Sequence, residues 1–412
     1  MEIRALLSSM WRSRTGPILV AAQVALTLAV VVNVAYIAQQ RLETVNKPTG
    51  IDIKNIFWVV IQPQDKNYNY EAAVRADLQY LNALPGVIAA TISNNTPQTW
   101  NSMGLMFGPT PESVLTPAAV PGRIFFATEK YFDALGLKLS AGKTFEPNMI
   151  VPPSANMGSA IGAWPAQVVV TQAMADKIFP KGGALGKTIW VGLANRPSTI
   201  IGIVDYMQAV PIGGKFEQFA IQMVFTPMIP SGPNSLYIVR TQPGKREITM
   251  ARVEKEIADL QPGNRFVMRI QTLEKTAAQT RSGIRTSALI LASVGVLVLA
   301  VTMVGVAGLA AFNVTTRTKQ LGTRRAIGAR RFHVLRYFIV ENWLITTVGA
   351  LVGCVLALAA GVKLSLMYQM PRLPLYYLLA GVIALWALGL LAVLVPARRA
   401  ASISPATATR MV

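Results

Sequence analysis

The chain has 412 residues, of which 52% are hydrophobic and only 14% charged, against about 25% charged in ordinary soluble domains. So little charge among so many apolar residues points to solvation by a bilayer. Its net charge of +20 would suit nucleic acid only if the basic residues clustered on a folded surface. One cysteine, Cys354, and one histidine, His333, exclude an intrachain disulfide framework, a CxxC metal site and a histidine metal centre. Cys354 lies in an apolar stretch and reads as a small packing residue, while His333, among arginines, reads as solvated.

A helix needs about 20 apolar residues to cross the hydrocarbon core, and four stretches qualify. Residues 1–16 precede the first and carry Arg4, Arg12 and Arg14. Residues 17–38 form span one, interrupted only by Gln23 and Asn33. Its apolar region is too long for a signal peptide and no A-x-A pair follows, so it reads as a retained anchor.

Residues 39–285 form one large domain with 24 basic and 17 acidic residues, an ordinary mixed surface, and no cysteine. Its ends look alike. Residues 56–62 are strand-like, 70–84 helical and 87–93 strand-like; residues 235–240 are again a strand, 246–260 an amphipathic helix and 265–271 a strand. Two strand–helix–strand units join into one sheet with helices on one face. Residues 39–93 and 235–271 are therefore expected to form a split α/β part beside the membrane, with 94–234 as an inserted β-rich subdomain. Residues 148–165, rich in Pro, Gly, Ser and Met, read as a mobile loop whose exposed Met149, Ile150 and Met157 are candidates for contact with a periplasmic partner. Residues 272–285 have good helix formers and are predicted to carry span two outward as a stalk.

Residues 286–313 form span two, 314–337 a connecting loop, 338–362 span three, 375–396 span four and 397–412 a tail. The segment before span one, the 314–337 loop and the tail hold 13 basic residues, all on one side of a four-span topology; the opposite short loop holds only Lys363 and Arg372. By the positive-inside rule both termini are cytoplasmic and the large domain lies outside. The positive excess is thus a topology signal and nucleic acid drops out as a partner.

Lys181 to Thr188 (KGGALGKT) is one residue from a P-loop, with Lys at its first position, Phe179 and Pro180 before it and strand-like residues after it. A P-loop needs a strand before and a helix after, so that backbone N–H groups cradle phosphate. A glycine-rich turn is the better reading. No paired catalytic carboxylates or nucleophile–base set stands out.

The most specific stretch is the cytoplasmic loop with the start of span three, TRTKQLGTRRAIGARRFHVLRYFIVE from Thr316 to Glu341. It resembles the loop of MacB/FtsX-type ABC transporter permeases, R-x-K-E-I-G-[IV]-R-[KR]-A-[LI]-G-A followed by a basic helix and a glutamate. Arg317, Lys319, Leu321, Gly322, Arg324, Arg325, Ala326, Ile327, Gly328, Ala329 and Glu341 match. The closing PARRAASISPATATR, residues 396–410, resembles the family's P-A-x-R-A-A-x-x-x-P-x-x-A-L-R. KYFDALGLKLSAGKTF (130–145) and residues 168–204 resemble ectodomain segments of the same family.

The resemblance implies an α+β membrane protein: four transmembrane helices, one plus three, with a large periplasmic α/β domain and an inserted β-rich subdomain between spans one and two. It implies a non-catalytic permease in the bacterial inner membrane. Two permeases would pair with two copies of a cytoplasmic ABC ATPase, which binds the ATP and Mg, this chain binding no cofactor. The implied ATPase-coupling residues are Arg317, Lys319, Gln320, Leu321, Gly322, Arg324, Arg325, Ala326, Ile327, Gly328, Ala329, Arg330 and Arg331. Gly322 and Gly328 let a short helix turn sharply, Ala326 and Ala329 permit close packing, and the arginines suit acidic groups or anionic headgroups. Gln320 and Thr407 stand where the family usually has Glu, which favours a heterodimer with a second permease over a homodimer.

Movement of the periplasmic domain by mechanotransmission would drive export of an antibiotic, peptide or similar compound, with a periplasmic adaptor and an outer-membrane channel. The alternatives are lipoprotein release, or a non-transporting regulator of an envelope enzyme or sensor.

Overall fold

A computed structural model describes residues 15–65, 68–99, 103–152, 164–192, 196–210, 217–232, 234–260, 265–316, 331–368 and 372–402. In chain order the elements begin with α1 (Thr15–Asn46), β1 (Ile56–Pro63), α2 (Tyr70–Ala83), β2 (Val87–Ile92), β3 (Gly104–Gly108), β4 (Val120–Phe126) and α3 (Tyr131–Leu135). Next come β5 (Leu139–Gly142), β6 (Gln167–Thr171), α4 (Gln172–Ile178), β7 (Thr188–Val191), β8 (Arg196–Val204), α5 (Glu217–Ile221) and β9 (Met223–Thr226). The chain continues through β10 (Ser235–Thr241), α6 (Arg246–Glu256), β11 (Arg265–Thr272), α7 (Leu273–Thr316), α8 (Arg331–Tyr368) and α9 (Leu375–Ser402). The elements fall into an extramembrane unit, Glu43–Ile284, and a membrane unit, Met1–Leu42 with Arg285–Val412.

In the extramembrane unit a four-stranded sheet has the order β11–β1–β10–β2, every neighbour antiparallel. This is the split strand–helix–strand arrangement, with each outer strand fed by its own crossover helix. Alternation along β1 sorts the faces. Phe57, Val59 and Ile61 pack with Val74 and Leu81 of α2 and with Val253 of α6, while Ile56 and Trp58 face the other way. α2 starts where the Asn69 side chain accepts the Ala72 N–H at 3.1 Å, which satisfies an orphan donor of the first turn. Leu84 precedes Pro85, which disfavours further helix.

A helix was expected across 246–260. Instead α6 stops at Glu256 and Ile257–Leu260 is a 3-10 turn. The Arg265 guanidinium takes the Ile257 carbonyl in this last turn at 2.6 Å, satisfying an acceptor the helix end leaves over. The same guanidinium meets Asp77 of α2 at 2.7 Å, with both side chains fully buried, and Asp77 also accepts from the Tyr237 hydroxyl at 2.8 Å. Burial pushes the Asp77 carboxyl up from its ordinary 3.8, against the pull of the Arg265 and Tyr237 hydrogen bonds.

The segment between β2 and β10 builds a seven-stranded mixed sheet, β5–β8–β6–β9–β4–β3–β7. β7 also pairs with β8, so the strands from β8 round to β7 form a closed ring that leaves few free edges. One face packs Phe107, Ile124, Val168, Val170, Ile200 and Val224 with α4. On the other, Phe125, Tyr131, Phe132 and Phe225 cluster with ring centroids 5.3 to 6.4 Å apart and pack on Ile56, Trp58 and Ile238 of the first sheet. The Lys181–Thr188 segment is a turn between α4 and β7. Lys187 folds back, its ammonium on the Gly182 carbonyl at 3.0 Å and 4.8 Å from the Phe179 ring. With a helix before and a strand after, it has the reverse of the P-loop's order.

In the membrane unit, α1, α7, α8 and α9 are each long and apolar enough to cross a bilayer. Each runs beyond its apolar core; α7 takes in the predicted stalk from Leu273 onward, Thr272 ending β11, and continues through Gly283 to Thr316 without interruption. α1 packs most deeply, with Val24, Leu28 and Val32 buried. Gly349 and Gly353 of α8 sit against it: a Cβ at Gly349 would lie 2.6 Å from the Ala21 carbonyl oxygen, and one at Gly353 2.9 Å from that of Ala25. This is close approach through small residues four apart.

Candidate functional site

Of the coupling residues, only Arg331 lies within the described part of the chain; Arg317, Lys319, Gln320, Leu321, Gly322, Arg324, Arg325, Ala326, Ile327, Gly328, Ala329 and Arg330 lie outside it. Arg331 opens α8 and is exposed, as is His333, while Glu341, one helical face further on, is buried.

The exposure expected for the partner loop is corrected at two residues. Met149 and Ile150 are not exposed: both are half-buried and pack against the aromatic cluster of the inserted subdomain. The chain is held there because Val151 N–H donates to the Pro227 carbonyl at 2.7 Å and Ile229 N–H to the Val151 carbonyl at 3.1 Å. That bridge turns the two apolar side chains inward. Met157 lies outside the described residues.

What sequence reasoning did not find is a cavity of about 710 Å3 within the extramembrane unit. Its floor is the second face of the four-stranded sheet, with Trp58, Leu236, Arg269 and Gln271. One wall is the first turns of α7, with Thr276, Gln279 and Thr280. The others are Ser93–Thr96 and Thr99 of the first crossover, Pro230, Ser231 and Asn234 of the second, and Met103 and Phe126 of the inserted subdomain. The volume suits a drug-sized ligand.

Side-chain bonds fix the foot of α7 to this floor. Thr272 caps it by accepting the Lys275 N–H at 3.2 Å. The Trp58 indole N–H donates to Thr276 Oγ1 at 2.9 Å, and Gln271 Nε2 donates to Thr276 Oγ1 and Gln279 Oε1, each at 3.0 Å. Thr280 Oγ1 donates to the Gln98 carbonyl at 2.7 Å. Gln98 holds φ at +66°, in the left-handed region that non-glycine residues seldom adopt. Its side-chain amide donates to the Gln208 carbonyl at 2.6 Å and its backbone N–H to that of Ala209. Such a conformation persists where its surroundings over-determine it, so the first crossover and the stalk are locked together. The residues come from three distant segments and share no spacing, so no motif announces them.

Two family models match the chain. One, described as the MacB-like periplasmic core domain, matches residues 18–260. The other, described as the FtsX-like permease C-terminal domain, matches residues 292–405. Macrolide export ATP-binding/permease protein MacB of Neisseria gonorrhoeae (strain ATCC 700825 / FA 1090) is 29% identical over 293 residues, which cover 67% of this chain and 42% of that protein. The chain therefore matches under half the length of that relative. The uncharacterized ABC transporter permease YknZ of Bacillus subtilis (strain 168) is 25% identical over 285 residues, 68% of each chain. Among solved structures, the periplasmic region of MacB from Actinobacillus actinomycetemcomitans aligns with a TM-score of 0.31 and 15% identity, covering 56% of this chain and 94% of that one.

Proposed function

Because this chain belongs to the permeases that combine a MacB-like periplasmic core domain with an FtsX-like C-terminal domain, we propose that it is the permease subunit of an ABC transporter. In this reading ATP is hydrolysed on a separate cytoplasmic ATPase, present in two copies. This chain turns the ATPase's movement into movement of its periplasmic domain. Both termini are cytoplasmic and the large domain is periplasmic in this reading, which the distribution of basic residues supports. The relatives named for macrolide export make outward transport of an antibiotic, peptide or similar compound the reading of its task. A second permease completes the bundle, and a periplasmic adaptor with an outer-membrane channel would complete the path.

The observation that carries the mechanical part is α7. A single helix of 44 residues contains both span two and the segment bonded to the cavity floor. A helix rises about 1.5 Å per residue and does not compress like a loop, so a displacement at one end is delivered to the other. The test is Gly328→Trp in the coupling loop, measured with the ATPase bound. ATPase stimulation by the chain should fall at least tenfold while membrane insertion stays intact. Stimulation at the wild-type level would remove the loop from the coupling path.

A further inference from the structure

The chain enters the extramembrane unit at the end of α1 and leaves it through α7. Hydrogen bonds in series join the entry to the exit. Just past α1, the Thr49 carbonyl accepts the Gln208 N–H at 2.8 Å. The Gln208 carbonyl accepts Gln98 Nε2 at 2.6 Å, and the Gln98 carbonyl accepts the Thr280 hydroxyl of α7 at 2.7 Å. The entry is seated tightly at its own end of the series: Gly50 has φ at +74°, and a Cβ there would run into the Tyr206 carbonyl oxygen.

The middle of the series is held at a cost. Pro97 and Gln98 form a turn. In a turn with proline at its second position, a third residue at positive φ is ordinarily glycine or asparagine, yet Gln98 stands there with φ at +66°. Glycine would sit without strain but would have no side chain to reach Gln208. Gln98 and Gln208 are 0% and 1% exposed, and the Oε1 of each has no hydrogen-bond partner among the described residues. A left-handed residue beside two unmade buried acceptors is a link held in place only by its neighbours. The strands on either side are not like this. β1 and β10 are central in their sheet, each paired along both edges.

We propose that Gln98 is a strained clasp between the exit of α1 and the foot of α7, and that it opens as a unit while the four-stranded sheet stays folded. Asn95, Thr96 and Thr99 form one wall of the cavity, and Thr276, Gln279 and Thr280 form another. Opening frees the first wall from the second, so the clasp sets the width of the cavity. The proposal goes beyond the permease reading and stands without it, since opening is read on this chain alone.

The experiment is hydrogen exchange read by mass spectrometry on the full chain in phospholipid nanodiscs, with no ATPase present. The Gln98 and Gln208 amides, bonded to the Ala209 and Thr49 carbonyls, should exchange together and at least about tenfold faster than the amides of β1 and β10. Thr280→Val keeps the side chain's shape and removes its donor. It should raise exchange at both amides about tenfold, and Thr280→Ser should not. Gln98→Gly and Gln98→Ala both lose the bond to Gln208, but only glycine lifts the left-handed cost. The glycine variant should therefore open about tenfold less than the alanine variant. Exchange at the rate of β1 and β10 in the unmodified chain would overturn the proposal. So would a rise in Thr280→Val that spreads to β1 and β10, that leaves Gln208 unchanged or that recurs in Thr280→Ser, and so would equal opening of the glycine and alanine variants.

Discussion

Buried contacts from each unit show polar groups held in different ways. In the extramembrane unit the deepest polar contact is an ion pair, Asp77–Arg265, with both side chains fully buried. In the membrane unit two buried contacts that join α1 to its neighbours are neutral. Thr27 and Thr302 share a hydrogen bond of 2.6 Å, and Asn33 Nδ2 donates to the Ala357 carbonyl at 3.1 Å. The difference follows from what drives each assembly. A sheet and two helices in water gain from removing Phe57, Leu81 and Val239 from solvent, and that gain tolerates one desolvated pair if it is hydrogen-bonded on both sides. Helices in lipid gain little by exchanging lipid for protein contact, so they rely on close packing at Gly349 and Gly353 and on neutral hydrogen bonds.

The largest effect should come from breaking the ion pair. Asp77→Ala leaves the Arg265 charge buried without its partner, and should cost about 3–5 kcal/mol of the extramembrane unit's stability, read by chemical denaturation. A loss below about 1 kcal/mol would mean that water reaches Arg265 and that the pair is no core element. Gly349→Leu tests the membrane side, since its side chain would meet the Ala21 carbonyl. Overpacking of this kind costs about 1–3 kcal/mol. The expected result is a lowered unfolding temperature in detergent with the extramembrane unit's own transition unchanged.

The smallest effect sharpens the contrast between α1 and α7. Their apolar cores are similarly hydrophobic, yet 44% of the first and only 17% of the second is buried. Asn33→Ala on α1 should cost about 0.6–1.7 kcal/mol, the range for a single interhelical hydrogen bond. Val304→Ala on the outer face of α7, 73% exposed, should stay within about 0.5 kcal/mol. Equal losses from the two substitutions, measured by steric-trap unfolding in bicelles, would show that α7 is as enclosed as α1.

Much of the architecture could be read from local pattern. Four apolar runs of sufficient length announce four helices because bilayer thickness sets a minimum length. The alternation in IFWVVIQ and SLYIVR announces strands because one period-2 face must be buried. The stalk was legible because residues 272–285 contain good helix formers up to the start of span two. Asp77 is also legible: it falls in phase with Ala73, Val74 and Leu81 on the apolar stripe of α2, where an acid needs a buried partner.

Other features depended on contacts that no local pattern carries. The inward turn of Met149 and Ile150 depends on Val151 meeting Pro227 and Ile229, some 75 residues away along the chain. The closed ring of the inserted sheet depends on β8 pairing with β5, β6 and β7 at once. The cavity brings Asn95, Trp58, Arg269 and Gln279 together from separate segments. The sequence by itself determined the four apolar helices, the strands and helices of the split α/β part, and the family to which the chain belongs, because length, periodicity and motif are local properties. Only the tertiary structure decided which polar side chains are paired, as Asp77 is with Arg265 and Tyr237, because hydrogen-bond satisfaction depends on groups brought together from distant parts of the chain.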